Sequence, residues 1–189
     1  PNQTREGFEK ALAAAGYKDG ETVTYIQKDA AGELPNTTLV MQQFLSEKVD
    51  LVLAVGTPPL QAAMKVMPAS VPVVFCYCSN PWGAGAGTPP GGVGQHKPNV
   101  VGTIGTNPVG KELDLAREVN PALKTAGLIY NPGEPNSEYE AKVLRKEADR
   151  RGITIVSQSV ANSGEVLQAA QALAEKKVRS EEHTSELQS

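Results

Sequence analysis

Thr125 to Ser137, TAGLIYNPGEPNS, constrains the fold more than any other stretch of this chain. An apolar run suited to a buried strand, Ala126 to Tyr130, breaks at Asn131-Pro132-Gly133 and leads straight into a helix opened by Asn136 or Ser137. Open parallel sheets are built in this way, and the carboxyl ends of their strands line the crevice where α/β proteins take small ligands. Ser137 and Glu140 fit an S-x-x-E capping box, which supports the helix start there. A plain polar turn uses the same residue types, so the rest of the chain must decide.

Strand and helix patterns alternate along nearly the whole length. Phe8, Ala11, Leu12 and Ala15 recur at helical spacing before Gly16, and Thr22 to Ile26 alternates as a strand. Val40, Met41, Phe44 and Leu45 mark a second helix, capped near Asn36 or Thr37. Asp50 to Val55 is a short apolar run before Gly56-Thr57-Pro58, where Thr57 suits an N-cap and Pro58 the first helical position. A helix through Gln61 to Val66 and a buried strand, Val71 to Cys78, follow. After a loop rich in Gly and Pro, Ser79 to Asn99, the rhythm resumes with a strand at Val100 to Ile104. Asn107-Pro108 then opens a helix with Leu113, Ala116 and Val119 on its inner face. The strand at 126–130, a helix at 137–151, a strand from Ile153 to Val160 and a helix from Asn162 complete the series. Val166, Ala169, Ala170 and Leu173 share one side of that last helix, and Asn162 with Glu165 makes an N-x-x-E variant of the capping box. This is the βαβ rhythm of parallel sheets flanked by helices. It falls into two similar blocks, 1–99 and 100–178, which predicts two α/β lobes.

The ends read differently. Pro1 and its neighbours read as the middle of a helix, so the chain is expected to be truncated at its start. Arg179 to Ser189, RSEEHTSELQS, has no apolar periodicity and resembles the in-frame translation of a common sequencing adapter. It is expected to be a non-native tail and is set apart from the fold. The net charge of −3 includes one Arg and three Glu from that tail, leaving 17 basic and 18 acidic residues, a net of −1. No clustered basic excess points to nucleic acid. No run of about 18 apolar residues points to a membrane span. Cys76 and Cys78, at i and i+2 on one face of a strand, read as small core residues rather than a disulfide or metal site.

The motifs of chemistry are missing. Gly83-Ala84-Gly85-Ala86-Gly87 lacks the tight strand-to-helix turn of a dinucleotide site, because Ser-Asn-Pro-Trp precedes it and Thr88-Pro89-Pro90 follows. There is no P-loop and no G-x-S-x-G elbow. His96, the one histidine outside the tail, lies in the Gly/Pro-rich loop, where no nucleophile has an anchored base. No catalytic residue, cofactor or metal is expected. The strand ends carry uncharged polar groups instead: Thr57, Ser79 and Asn80 in the first block, Tyr130, Asn131, Asn136 and Ser137 in the second. Hydroxyls and amides backed by helix N-termini hold a carboxylate or amide without reacting with it. Tyr130, and Trp82 in the loop, offer an aromatic wall.

With these residues in view, the chain resembles the solute-binding proteins of ABC transporters, in the family that includes tryptophan- and tyrosine-type binding components. The resemblance rests on GFEKALAAAGYKDGETVTY, KVDLVLAVGTPPLQAA, VPVVFCYCSNPWGAG and NVVGT. Above all it rests on GLIYNPGEPNSEYEAKVLRKEADRRGI followed by NSGEV. It implies a two-lobed, type I periplasmic-binding-protein-like fold that captures one amino-acid-like solute between hinged lobes and docks on a membrane permease. It also implies a periplasmic or lipid-anchored extracellular location. Carried over by position, it points to Thr57, Ser79-Asn80, Tyr130-Asn131 and Asn136-Ser137. Helix N-termini at Thr57 and Ser137 favour an anionic group, so Asn136 and Ser137 are expected at the carboxylate end of the solute.

This chain departs from the family at Asn80-Pro81, where Asp-Pro is common, and in a longer loop at 83–98. An amide at position 80 forms no ion pair with an ammonium group. The resemblance further implies a first strand before Pro1 and a remainder of the second lobe beyond Val178. In a 2-1-3-4 order the missing strand would lie beside Asp50 to Val55. Two rivals use the same fold: the ligand-sensing lobe of a regulator, and a doubly wound enzyme.

Overall fold

A computed structural model describes residues 2–30, 34–88 and 96–186. The chain divides into two compact units, Pro1–Thr106 and Asn107–Ser189. The sequence puts the boundary between 99 and 100. The difference is the strand Val100–Ile104, which hydrogen-bonds to the first unit's sheet.

The first unit contains α1 (Asn2–Ala14), α2 (Leu34–Ser46), β1 (Val52–Val55), α3 (Thr57–Val66), β2 (Val73–Cys78) and β3 (Val100–Ile104). The three strands are parallel in the order β1-β2-β3. Met41 of α2 and Leu60, Ala62 and Ala63 of α3 pack on Val52, Ala54, Val73, Phe75 and Val100 of the sheet. Helix α2 closes in a Schellman turn: Val49 N–H reaches Phe44 O, Lys48 N–H reaches Leu45 O, and Lys48 takes the left-handed conformation (φ 55°).

Two expectations for this unit need correction. Thr22 to Ile26 is not a strand. Apart from an isolated bridge, Asp19 to Val23, it finds no ladder among the described residues, and alternation alone cannot hold a strand without a neighbour. Helix α2 is already under way at Leu34, so Asn36 and Thr37 lie inside it and do not cap it. Pro35 suits its first turn, where no N–H is needed. Residues 89–95 of the Gly/Pro-rich loop, with Pro89, Pro90, Gly91, Gly92 and Gly94, lie outside the described residues.

The second unit contains α4 (Val109–Val119), β4 (Thr125–Tyr130), α5 (Pro135–Asp149), β5 (Thr154–Ser159), a 3-10 turn (Ser163–Glu165) and α6 (Val166–Glu186). β4 and β5 pair in parallel from Thr125–Thr154 to Tyr130–Ser159. Leu113, Ala148 and Ile153 form the buried centre, with Leu123, Ala126, Leu144 and Ile155 around them. Leu113 faces inward as its spacing predicts, but Val119 is 81% exposed, because it is the last residue of α4 and lies past the helix's inward face. Ala169 of α6 is buried, and the Leu173 side chain lies against Gly127 of β4. Asn162 caps the 3-10 turn, its side chain accepting from Gly164 N–H while Glu165 accepts from Ala161 N–H. The N-x-x-E signal is therefore used, shifted by one residue. The backbone of the polar tail continues α6 as far as Glu186, and 187–189 lie outside the described residues.

Candidate functional site

At the carboxyl edge of the first sheet, β1 ends at Val55 and turns through Gly56 (φ 101°) into α3. Such a backbone costs glycine little and other residues more. Gly56, not Thr57, is the N-cap, and no side chain caps this helix. Thr57 is the first helical residue, 2% exposed, with its hydroxyl 3.2 Å from the Cys78 thiol. Burial pushes the Cys78 thiol pKa up, and its hydrogen bonds to Thr57 and to the Asn80 backbone moderate the rise. Ser79 is 5% exposed. The Asn80 side-chain oxygen accepts from Gly83 N–H at 2.8 Å, which winds Pro81 to Gly85 into a turn. The sheet order thus gathers Thr57, Ser79 and Asn80 at the ends of adjacent strands. Two of them are buried, however, and the third has its oxygen committed to the chain.

In the second unit, Tyr130 ends β4 and the Arg145 guanidinium of α5 lies 5.1 Å from its ring centre. Arg145 also donates to Ser157 Oγ at 3.0 Å, so one face of the tyrosine is taken by a cation of its own chain. Asn131 organises the turn: its side-chain oxygen accepts from Gly133 N–H, and its amide nitrogen donates to Glu134 and to Ala161 O. Its backbone N–H donates to Ser137 Oγ at 3.0 Å.

Helix α5 starts at Pro135 with Glu134 as N-cap, two residues before the start that the sequence suggests. Ser137 is therefore the third helical residue, and the S-x-x-E box does not form. Glu140 instead accepts from the Asn107 amide at 3.0 Å. Proline at the first helical position fixed this start where the capping-box pattern pointed further on. The first intrahelical bond runs from Glu138 N–H to Glu134 O, so the N–H groups of Asn136 and Ser137 precede it. Ser137 accepts through its oxygen, so its own proton is available to donate. The Asn136 side-chain oxygen is buried without a hydrogen-bond partner among the described residues. An orphan acceptor of this kind calls for an explanation.

One residue at the strand ends escapes sequence reasoning. β2 and β3 slip register between Phe75 and Cys78, and Cys76 and Tyr77 together span the stretch where β3 has only Thr103. Cys78 joins Val73 and Phe75 in the core, while Cys76 stays outside that cluster. The two cysteines are therefore not on one face, because the extra residue shifts the alternation by one. Tyr77 takes a left-handed backbone (φ 52°) and is 65% exposed. The available signal was the pair of glycines in Val100 to Gly105, which leave room for the slip.

Two α/β units of parallel strands and covering helices, with polar groups at the strand ends, define a type I periplasmic-binding-protein-like fold. The chain belongs to the family described as ABC transporter substrate binding protein, which it matches over residues 2–180. It is 32% identical to the tyrosine-binding protein of Clostridioides difficile over 91% of its own length and 49% of that protein's. Among solved structures it is similar to a conserved domain protein of Vibrio cholerae (31% identity, TM-score 0.81, covering 93% of this chain and 58% of that one). It is similar too to a Streptococcus pneumoniae ABC domain in complex with L-Trp (25% identity, TM-score 0.79, covering 90% and 56%). The chain thus spans about half the length of the curated relative it matches. Among the described residues, no helix is long and apolar enough to cross a membrane.

Proposed function

We propose that the protein carrying this chain is the binding component of an ABC-type uptake transporter. It captures one amino-acid-like solute between two lobes and passes it to a membrane permease, working in the periplasm or as a lipid-anchored extracellular protein. It catalyses no reaction and uses no cofactor. Family membership supports the reading, as do relatives whose names include tyrosine binding and an L-Trp complex.

The geometric observation that carries it is the start of α5. There the Ser137 hydroxyl has a proton to donate beside an unpartnered Asn136 carbonyl, at the positive end of a helix. A zwitterion answers both needs: its carboxylate takes the hydroxyl and helix N–H groups, and its ammonium takes the Asn136 oxygen. Thr57, Ser79 and Asn80 at the strand ends of the first unit, and Tyr130 and Asn131 in the second, are the further candidate contacts of the solute. The test is calorimetric titration of the whole protein with the common amino acids. Replacing both Asn136 and Ser137 by Ala is expected to cost about 1–3 kcal/mol of affinity. Unchanged affinity removes the pair from the site, no binding of any amino acid overturns the solute class, and turnover moves the protein to the enzymes.

A further inference from the structure

We infer that Glu134 is a specificity-determining residue of the solute site, its carboxylate pairing with the solute's ammonium group; this rests on the solute-binding reading above. None of the polar groups named for that site carries a formal charge. An ammonium that leaves water for a site without a carboxylate gives up solvation that neutral dipoles replace poorly. The start of α5 holds an acid free to meet it. The other carboxylates of this region are engaged. Glu138 pairs with Lys142 at 3.3 Å, and Glu140 accepts from the Asn107 amide. Glu165 uses both oxygens, one on Ala161 N–H at 2.8 Å and the other on the Asn162 amide at 3.1 Å. Glu134 meets no cation among the described residues.

Glu134 is the N-cap residue of α5, yet its side chain accepts from no helix N–H. The carboxylate is not spent on the helix end it precedes. Its Oε1 accepts from the Asn131 amide at 3.1 Å, and its Oε2 has no hydrogen bond among the described residues. The Asn131 amide is itself fixed, its oxygen accepting from Gly133 N–H at 2.9 Å and its nitrogen also donating to Ala161 O at 3.3 Å. A neutral donor thus holds the half-buried carboxylate in place and leaves its charge uncompensated, preorganised for a cation. A separate observation points the same way. Two residues along, the buried Asn136 oxygen is an acceptor without a donor. An ammonium group carries three donors and a positive charge, so it answers the Asn136 oxygen and Glu134 Oε2 together. The solute's own carboxylate keeps the Ser137 hydroxyl and the helix N–H groups. A solute with a carboxylate and no ammonium would meet Glu134 as a like charge, which selects against it.

The experiment titrates wild type and Glu134→Gln, in the whole protein, with L-tyrosine, L-tryptophan and L-leucine and with the α-hydroxy acid of each. Tm is measured for both forms. Glutamine keeps an oxygen for the Asn131 amide, so Tm should stay close to wild type. Affinity for the amino acids should fall roughly tenfold or more in Glu134→Gln, while the hydroxy acids hold or gain. An unchanged amino-acid affinity overturns the inference. So does an equal loss for amino acid and hydroxy acid, which would make Glu134 a support of the turn. Where a hydroxy acid binds neither form, loss of the amino acid at unchanged Tm supports the inference, and loss with a lower Tm overturns it. Failure of the wild type to bind any of the three amino acids overturns the solute-binding reading itself.

Discussion

Arg151 is the residue that ties the second unit together. Its Nε lies 2.7 Å from Asp114 of α4, and its Nη1 lies 2.7 Å from Glu147 of α5. A second nitrogen reaches Asp114 at 3.1 Å, which makes that pair a two-pronged one. Hydrogen bonds from Arg151 hold both carboxyls below their usual pKa, and nearby Arg charges add to the effect. A depressed carboxylate pKa contributes stability that is present above the unfolded value and lost as pH falls through the folded one. The second unit should therefore weaken as pH falls below the ordinary carboxylate range. Asp114→Asn should flatten that dependence, as a Tm series against pH would show. A mutant curve parallel to wild type would mean that the cluster is decorative. Residue-scale reading of the sequence put the polar groups of the candidate site at strand ends, where they lie, but did not show the state of each group. Thr57 and Ser79 are polar letters whose burial depends on which strand lies alongside. The orphan oxygen of Asn136 exists only because α5 begins at Pro135.

Among the elements, those with strong periodicity were legible. β3 was read at Val100 to Ile104, where it forms, and β4 and the start of α4 were read within two residues. These segments carry their signal locally, in apolar runs bounded by Gly, Pro and Asn. Thr22 to Ile26 carried the same local signal and failed, because a strand is a relation between two segments. The assignment of β3 to the second block failed for the same reason: the sequence shows where a strand is, not which strand it pairs with. The bulge in β2 is likewise a property of the pair. It depends on Gly102, since any side chain there meets the Phe75 carbonyl. Gly102→Ala should thus destabilise the first sheet by about 1–3 kcal/mol, the range for overpacking a filled interior. Denaturant titration with an unchanged m-value would report it. A mutant within a few tenths of wild type would mean that β3 slides aside at no cost.

For the molecule as a whole, the sequence anticipated two α/β units, and the chain has them, divided after Thr106. What no local pattern conveyed is how unequally they are filled. Thirteen buried apolar side chains make up the first cluster and three the second, among the described residues. Free energy of local opening tracks buried apolar packing. The two halves should therefore come apart in sequence rather than together. Amides of β4 and β5 should exchange with solvent well before those of β1 and β2, and a protease should enter the second unit first. Uniform protection across both sheets would contradict this. The shape of the cores thus gives the chain an order of unravelling, with the Asn131 turn and the start of α5 released while the sheet of the first unit still stands.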